Sequence, residues 1–146
     1  MIKEYERYHG VAFNRLVHGA GGPVSIKRYN QISHSCYVID DHIGAFIKYS
    51  TKRLSPWSFT FKKEHQDEIL KMHSMLKSVF IILVCGEDGI VSLSYDELKL
   101  LLDDNHDNYE WVGVWRNARE KYKISGTDGK LEFKIGDNEY PAKLFT

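Results

Sequence analysis

This chain of 146 residues has two cysteines, three prolines and no surplus of either charge sign, with 20 basic and 20 acidic side chains. Each shortage removes a class of protein. Cys36 and Cys85 lie inside apolar runs and show no Cys-x-x-Cys spacing. That excludes a disulfide-stapled scaffold and favours buried free thiols in a reducing compartment. Zero formal charge and a pI near 7.1 exclude the overall basic character of a strong non-specific DNA binder, so any contact with a polyanion must be confined to a patch. The longest apolar run, Val79 to Cys85, is far short of the roughly 20 residues of a membrane span. The start, Met1-Ile2-Lys3-Glu4-Tyr5-Glu6, is too charged for a signal peptide's apolar region. The expectation is a cytoplasmic protein with no membrane partner. With 42% hydrophobic content, three Trp, nine Tyr and seven Phe, residues 1–146 can build the core of a single domain.

One further absence is local. Between His42 and Lys63 there is no acidic residue, while Lys48, Lys52, Arg53, Lys62 and Lys63 supply five cations interleaved with Tyr49 and Trp57. Cations in such a run neutralise phosphates, and aromatic faces stack on bases or sugars. The candidate nucleic-acid-binding residues are therefore Lys48, Ser50, Lys52, Arg53, Trp57, Lys62 and Lys63, with DNA or RNA as the partner. A solvated sheet edge backed by aromatic core residues would have the same composition. Pro56 marks a loop or an edge, because it cannot donate to a sheet ladder.

The periodicities place these residues on elements. Tyr5, Tyr8, Ala12 and Leu16 predict a helix over 3–18, stopped by Gly19, Gly21, Gly22 and Pro23. Short strands are expected at Val24 to Tyr29, Cys36 to Ile39, Ile43 to Ser50 and Ser58 to Phe61, a meander of four, with Asp40-Asp41-His42 as a hairpin turn. Glu64 to Ser78 carries Ile69, Met72 and Leu76 on one face, a second amphipathic helix. Val79 to Cys85 is apolar throughout and reads as a strand buried on both faces. Ile90 to Leu93 returns, and Ser94-Tyr95-Asp96-Glu97 fits a capping box opening a short helix through Leu102. After a polar loop at 103–108, strands at Glu110 to Arg116 and Lys121 to Ser125 precede an Asp128-Gly129 turn that leads into a strand at Leu131 to Ile135. The fold class is α/β (α+β): a central mixed sheet flanked by helices, extended by a C-terminal β-hairpin.

The order helix, meander, helix, buried strand resembles the restriction-endonuclease-like core of the PD-(D/E)XK nuclease superfamily over residues 3 to about 95. Gly10-Val11-Ala12-Phe13-Asn14-Arg15-Leu16-Val17 is similar to that family's first helix, and Ala45-Phe46-Ile47-Lys48-Tyr49-Ser50 to the strand that carries its E-x-K. The resemblance implies a catalytic site in which carboxylates hold Mg2+ beside a lysine, with Lys48 as the family lysine or, in a shifted register, Lys48 at the acidic position and Ser50 at the lysine position. The acidic motif is incomplete: Ser35 stands near the expected first Asp, Phe46 two residues before Lys48, and Asn14 at the helix position often held by Glu. Asp40 and Asp41 are the nearest carboxylates and, with Lys48, the catalytic candidates, although a turn is itself reason enough for Asp there. Glu64, Asp67 or Glu68 on the second helix offers another route to a metal site. The implied function is nucleic-acid binding on a degenerate nuclease-like fold without standard metal-dependent cleavage. No cofactor is expected, Mg2+ entering only if the protein is catalytically active.

Other chemistry is thin. His34, Cys36 and His42 offer ligand atoms without a fourth at zinc spacing, so no metal is assigned to them, and His65 borders the core of its helix. The alternative function is a protein-interaction module, homo-oligomeric as a dimer, presenting Trp111, Trp115 and Tyr122 from the C-terminal hairpin.

Overall fold

The stop signals and periodicities lie close to the observed boundaries. The computed structural model describes residues 1–30, 33–105 and 109–146, so the expected polar loop falls outside the described residues at 106–108. The elements are α1 (Glu4–Gly19), β1 (Ile26–Arg28), β2 (Cys36–Ile39), β3 (Ile43–Ser50), β4 (Trp57–Phe61), α2 (Lys63–Met75), β5 (Ser78–Cys85), β6 (Gly89–Ser94), α3 (Tyr95–Leu101), β7 (Glu110–Trp115) and β8 (Lys123–Gly126). Two short 3-10 segments, Asp137–Glu139 and Ala142–Phe145, follow. None of the described helices is long and apolar enough to cross a membrane.

The architecture is α+β, with a mixed five-stranded sheet in the order β1-β2-β3-β5-β6. β3 and β5 are parallel and the other pairs antiparallel. The apolar run in β5 is buried from Val79 to Cys85, as a central strand covered on both faces requires. On one face Ile39, Ala45, Ile47, Ile82 and Val84 pack with Ala12 and Leu16 of α1 and with Leu144. On the other, Phe46, Ile81, Leu83 and Val91 pack under Ile69 and Met72 of α2 and Leu98 of α3.

The expected meander loses its fourth strand. Both edges of β3 are already taken, by β2 and by β5, so β4 has no free ladder to join there. It pairs instead with β7 in a second sheet ordered β4-β7-β8. Trp57, Phe59 and Phe61 turn inward and are buried, while Ser58 and Thr60 face out. The expected strand at 131–135 is also absent. Leu131 and Ile135 are buried but Glu132, Phe133 and Lys134 are exposed, so Phe133, which alternation would put on the buried face with Leu131 and Ile135, breaks the strand pattern. Two isolated bridges, Ser125 to Lys130 and Tyr122 to Ile135, hold this segment to β8 and its approach.

The capping box at α3 is present. Ser94 Oγ accepts from the Glu97 amide at 3.1 Å, and Glu97 Oε1 accepts from the Ser94 amide at 2.9 Å. Ser94→Ala is expected to cost about 1 kcal/mol in a urea melt. Unchanged stability would mean that the Lys143 to Glu97 ion pair, at 2.7 Å, holds the start of α3 alone.

Candidate nucleic-acid interface

Alternation along β3 puts Phe46, Lys48 and Ser50 on one face, the face that meets the end of β4 and the start of α2. Phe46 fills the core against Phe61 and the His65 ring. Lys48 comes next along the strand, half-buried, with its ammonium 5.1 Å from the centroid of the Phe61 ring. Its Nζ lies 3.3 Å from His65 Nδ1, which also accepts from the Lys62 amide at 3.1 Å. An Nδ1 that accepts from a backbone N–H carries no proton, so the neutral ring holds its proton on Nε2. Burial, then the nearby Lys48 charge, lowers the His65 pKa and keeps the ring in that form. Burial, then the Lys62 charge, pulls the Lys48 pKa down to about 8. A desolvated ammonium beside a second cation gains from an anion that enters the corner.

The structure brings together part of the expected set. Lys48, Lys62 and His65 meet at one corner, with Lys63 next in the chain. Lys52 and Arg53 lie on the loop before β4, at the opposite end of that strand from Lys62, so the five cations form two groups and not one pocket. Among the described residues none of the five makes an ion pair. Ser50 is half-buried and its hydroxyl accepts from the Lys52 amide at 3.3 Å. Trp57 requires a correction: it is 1% exposed, and its Nε1 donates to the Lys52 carbonyl at 2.8 Å. It pins the loop from inside and offers no face to a base.

Asp40 and Asp41 form the turn between β2 and β3, at φ of 51° and 64°, a left-handed conformation that Asp tolerates better than most residues. Asp40 accepts from the Ser25 amide at 3.0 Å, and Asp41 pairs with Lys27 at 2.9 Å. Lys48 lies at the far end of β3 from them, roughly 15 to 20 Å along the strand. The geometry therefore does not join these aspartates to that lysine. Position 46 is apolar core, Ser35 uses its carbonyl to accept from the Ile47 amide, and Asn14 is exposed on α1. Glu68 reaches this neighbourhood, accepting from Cys36 Sγ at 3.0 Å. Burial first, then that carboxylate, pushes the Cys36 thiol up to about 12, so it is no nucleophile.

His34, Cys36 and His42 do not converge: His34 packs on Tyr5, Cys36 turns to Glu68, and His42 bonds the Asp40 carbonyl. The acidic side chains that do come together were not foreseen. Asp103, Glu110 and Asp128 bring ligand atoms within 4.8 Å of one another, a hard oxygen set suited to a divalent cation such as calcium or magnesium. They come from three separate segments, so no sequence spacing announces them. Asp128 is also committed to the Asp103 amide, and Glu110 to Gln66. Of the aromatic trio expected at the surface, Tyr122 is fully buried and donates to Asp88 at 2.6 Å, while Trp111 is 43% exposed and Trp115 half-buried. In comparisons with known proteins, no family model, no curated protein and no solved structure matches this chain.

Proposed function

We propose that the protein binds nucleic acid through the basic corner of β3, β4 and α2, on a nuclease-like core that has lost standard metal-dependent cleavage. The observation that carries this reading is Lys48: a half-buried ammonium between His65 and the Phe61 ring, within range of the Lys62 charge and without a carboxylate partner among the described residues, on the strand similar to the one that carries the family's E-x-K. The order α1, three antiparallel strands, α2 and a strand parallel to β3 supports the nuclease-like part of the reading. A phosphate entering the corner would relieve the repulsion between two cations, which ordinary surface lysines do not offer. A cytoplasmic setting, where nucleic acid is at hand, belongs to the same reading.

Cleavage is expected to be absent. Holding magnesium beside Lys48 takes at least two carboxylates, and Glu68 supplies one where Ser35, Phe46 and Asn14 supply none. Purified protein incubated with duplex, single-stranded or branched DNA and magnesium or manganese should leave it intact. Cleavage lost in Asp40→Asn/Asp41→Asn and in Lys48→Ala would overturn that statement.

Binding is tested by salt titration. Lys62→Ala/Lys63→Ala should weaken retention of DNA or RNA and flatten the dependence of log K on log salt by roughly 1 to 2 units, about one per lost phosphate contact. Lys52→Ala/Arg53→Ala should do the same more weakly, because that pair stands apart from Lys48. Wild-type protein that retains neither DNA nor RNA at low salt would remove the reading.

A further inference from the structure

The second sheet shows the core one face and leaves the other open. Its outward residues are Ser58 and Thr60 from β4, Trp111, Gly113 and Trp115 from β7, and Lys123 and Ser125 from β8. The register sets Thr60 beside Trp111, Ser58 and Ser125 on either side of Gly113, and Lys123 beside Trp115. No carboxylate stands among them. Gly113 has a reason to be glycine: a Cβ there would lie 3.2 Å from the Trp111 ring and 3.4 Å from the Trp115 ring. Both indoles therefore lean over the same point of the sheet and form one aromatic strip.

Cations mark both ends of this strip. The Lys123 ammonium is 5.6 Å from the centroid of the Trp115 ring, and the Lys62 ammonium 6.0 Å from that of Tyr109, just ahead of β7. Beyond Tyr109, Lys62 and Lys63 line a hollow of about 460 Å³ with Glu64. Beyond Trp115, Lys121, Lys123, Lys130 and Phe133 line another of about 450 Å³, where Lys134 pairs with Glu120.

We propose that this outer face is a binding surface for single-stranded nucleic acid, with Trp111 and Trp115 stacking on unpaired bases while Lys62 and Lys123 hold phosphates at the two ends. It rests on the reading that the partner is a nucleic acid, but its stacking residues are independent of the Lys48 corner. The charge pattern selects this occupant. A polyanion with flat apolar faces satisfies indoles and lysines at once, whereas in a duplex the base faces are stacked out of reach. A second copy of this chain fits poorly, because a two-fold interface on this face would bring the lysines of both copies together.

The experiment uses a mixed-sequence single strand of about 12 nucleotides, within the usual range of site sizes, and a duplex of equal length, each titrated by fluorescence anisotropy. Wild type should bind the single strand more tightly than the duplex. Trp111→Ala/Trp115→Ala should weaken single-strand binding at least tenfold and leave duplex binding within twofold. Both residues lie on an outer face, and a circular-dichroism melt checks that the variant folds. In wild type, the single strand should shield the outer tryptophans from acrylamide quenching while Trp57 stays dark to the quencher throughout. Equal affinity of variant and wild type for the single strand, with binding intact, would overturn this surface and leave the basic corner standing. Loss of all nucleic-acid binding in wild type would overturn both. A concentration-dependent dimer abolished by the double substitution, with single-strand binding unchanged, would assign the face to self-association and overturn the proposal.

Discussion

Trp57→Ala is expected to destabilise the protein by about 3 to 5 kcal/mol, the cost of truncating a fully buried aromatic side chain. The indole is 1% exposed, packs edge-on against Tyr122 with centroids 6.1 Å apart, and lies beside Gly86, whose hypothetical Cβ would sit 3.3 Å from its Nε1. Removing it leaves a cavity where the two sheets meet and deprives the Lys52 carbonyl of its donor. Trp57→Phe keeps most of the volume and isolates the hydrogen bond, so its cost should fall to roughly 1 to 2 kcal/mol. Urea denaturation with an unchanged m-value reads both. A loss under about 1 kcal/mol for the alanine variant would place the ring at the surface and return it to the candidates for base stacking.

The case of Trp57 shows where the sequence is legible and where it is not. Trp57-Ser58-Phe59-Thr60-Phe61 alternates, and alternation declares a strand with one buried face. It does not say which sheet the strand joins, because that depends on a vacant edge. β3 has none, and the partner β7 lies some fifty residues on. The same reasoning separates the Asp40-Asp41 turn, legible because two adjacent aspartates tolerate left-handed backbone between apolar runs, from 131–135. There the Asp-Gly signal is present and Leu131, Phe133 and Ile135 alternate as a strand would, yet Phe133 is exposed, so the local pattern does not decide the structure. β5 was readable because a seven-residue apolar run rich in β-branched side chains is too short for a helix and suits a strand buried on both faces.

The candidate interface divides along the same line. That Lys48 shares a face with Phe46 follows from counting along a strand. That His65 and Lys62 meet it does not, because the meeting depends on where α2 starts relative to the first sheet. The tryptophans at 111 and 115 alternate with Val112 and Val114, but that both rings lean over Gly113 is visible only in the structure. Tyr122 differs because its ring is buried and its hydroxyl has a half-buried partner in Asp88, which itself takes Arg116 Nε at 2.7 Å. No local pattern reveals that triad.

Lys48→Met is expected to stabilise the protein by about 1 to 3 kcal/mol at pH 7 and, on the proposed reading, to weaken retention of nucleic acid. Burial lowers the Lys48 pKa from 10.5 to about 8, and each unit corresponds to about 1.4 kcal/mol between the two protonation states. Below pH 8 the amine is charged in both folded and unfolded chains, and the folded state bears the whole cost of the desolvated ammonium. Between pH 8 and 10.5 the folded state has released the proton and the unfolded state still holds it, so this group's contribution to stability rises with pH across that window. Methionine has similar length, no charge to desolvate and the flexibility to pack on Phe61. His65 Nδ1 keeps its bond from the Lys62 amide, so the substitution leaves no orphaned acceptor. The stability difference between variant and wild type should therefore be largest near pH 7 and shrink towards pH 10.5, a comparison in which the titrating groups away from Lys48 cancel. A difference that is zero at pH 7 and flat to pH 10.5 would mean that the ammonium is fully solvated. A gain in stability joined to a loss of binding would mark Lys48 as a residue held at a cost to the fold for the sake of its ligand.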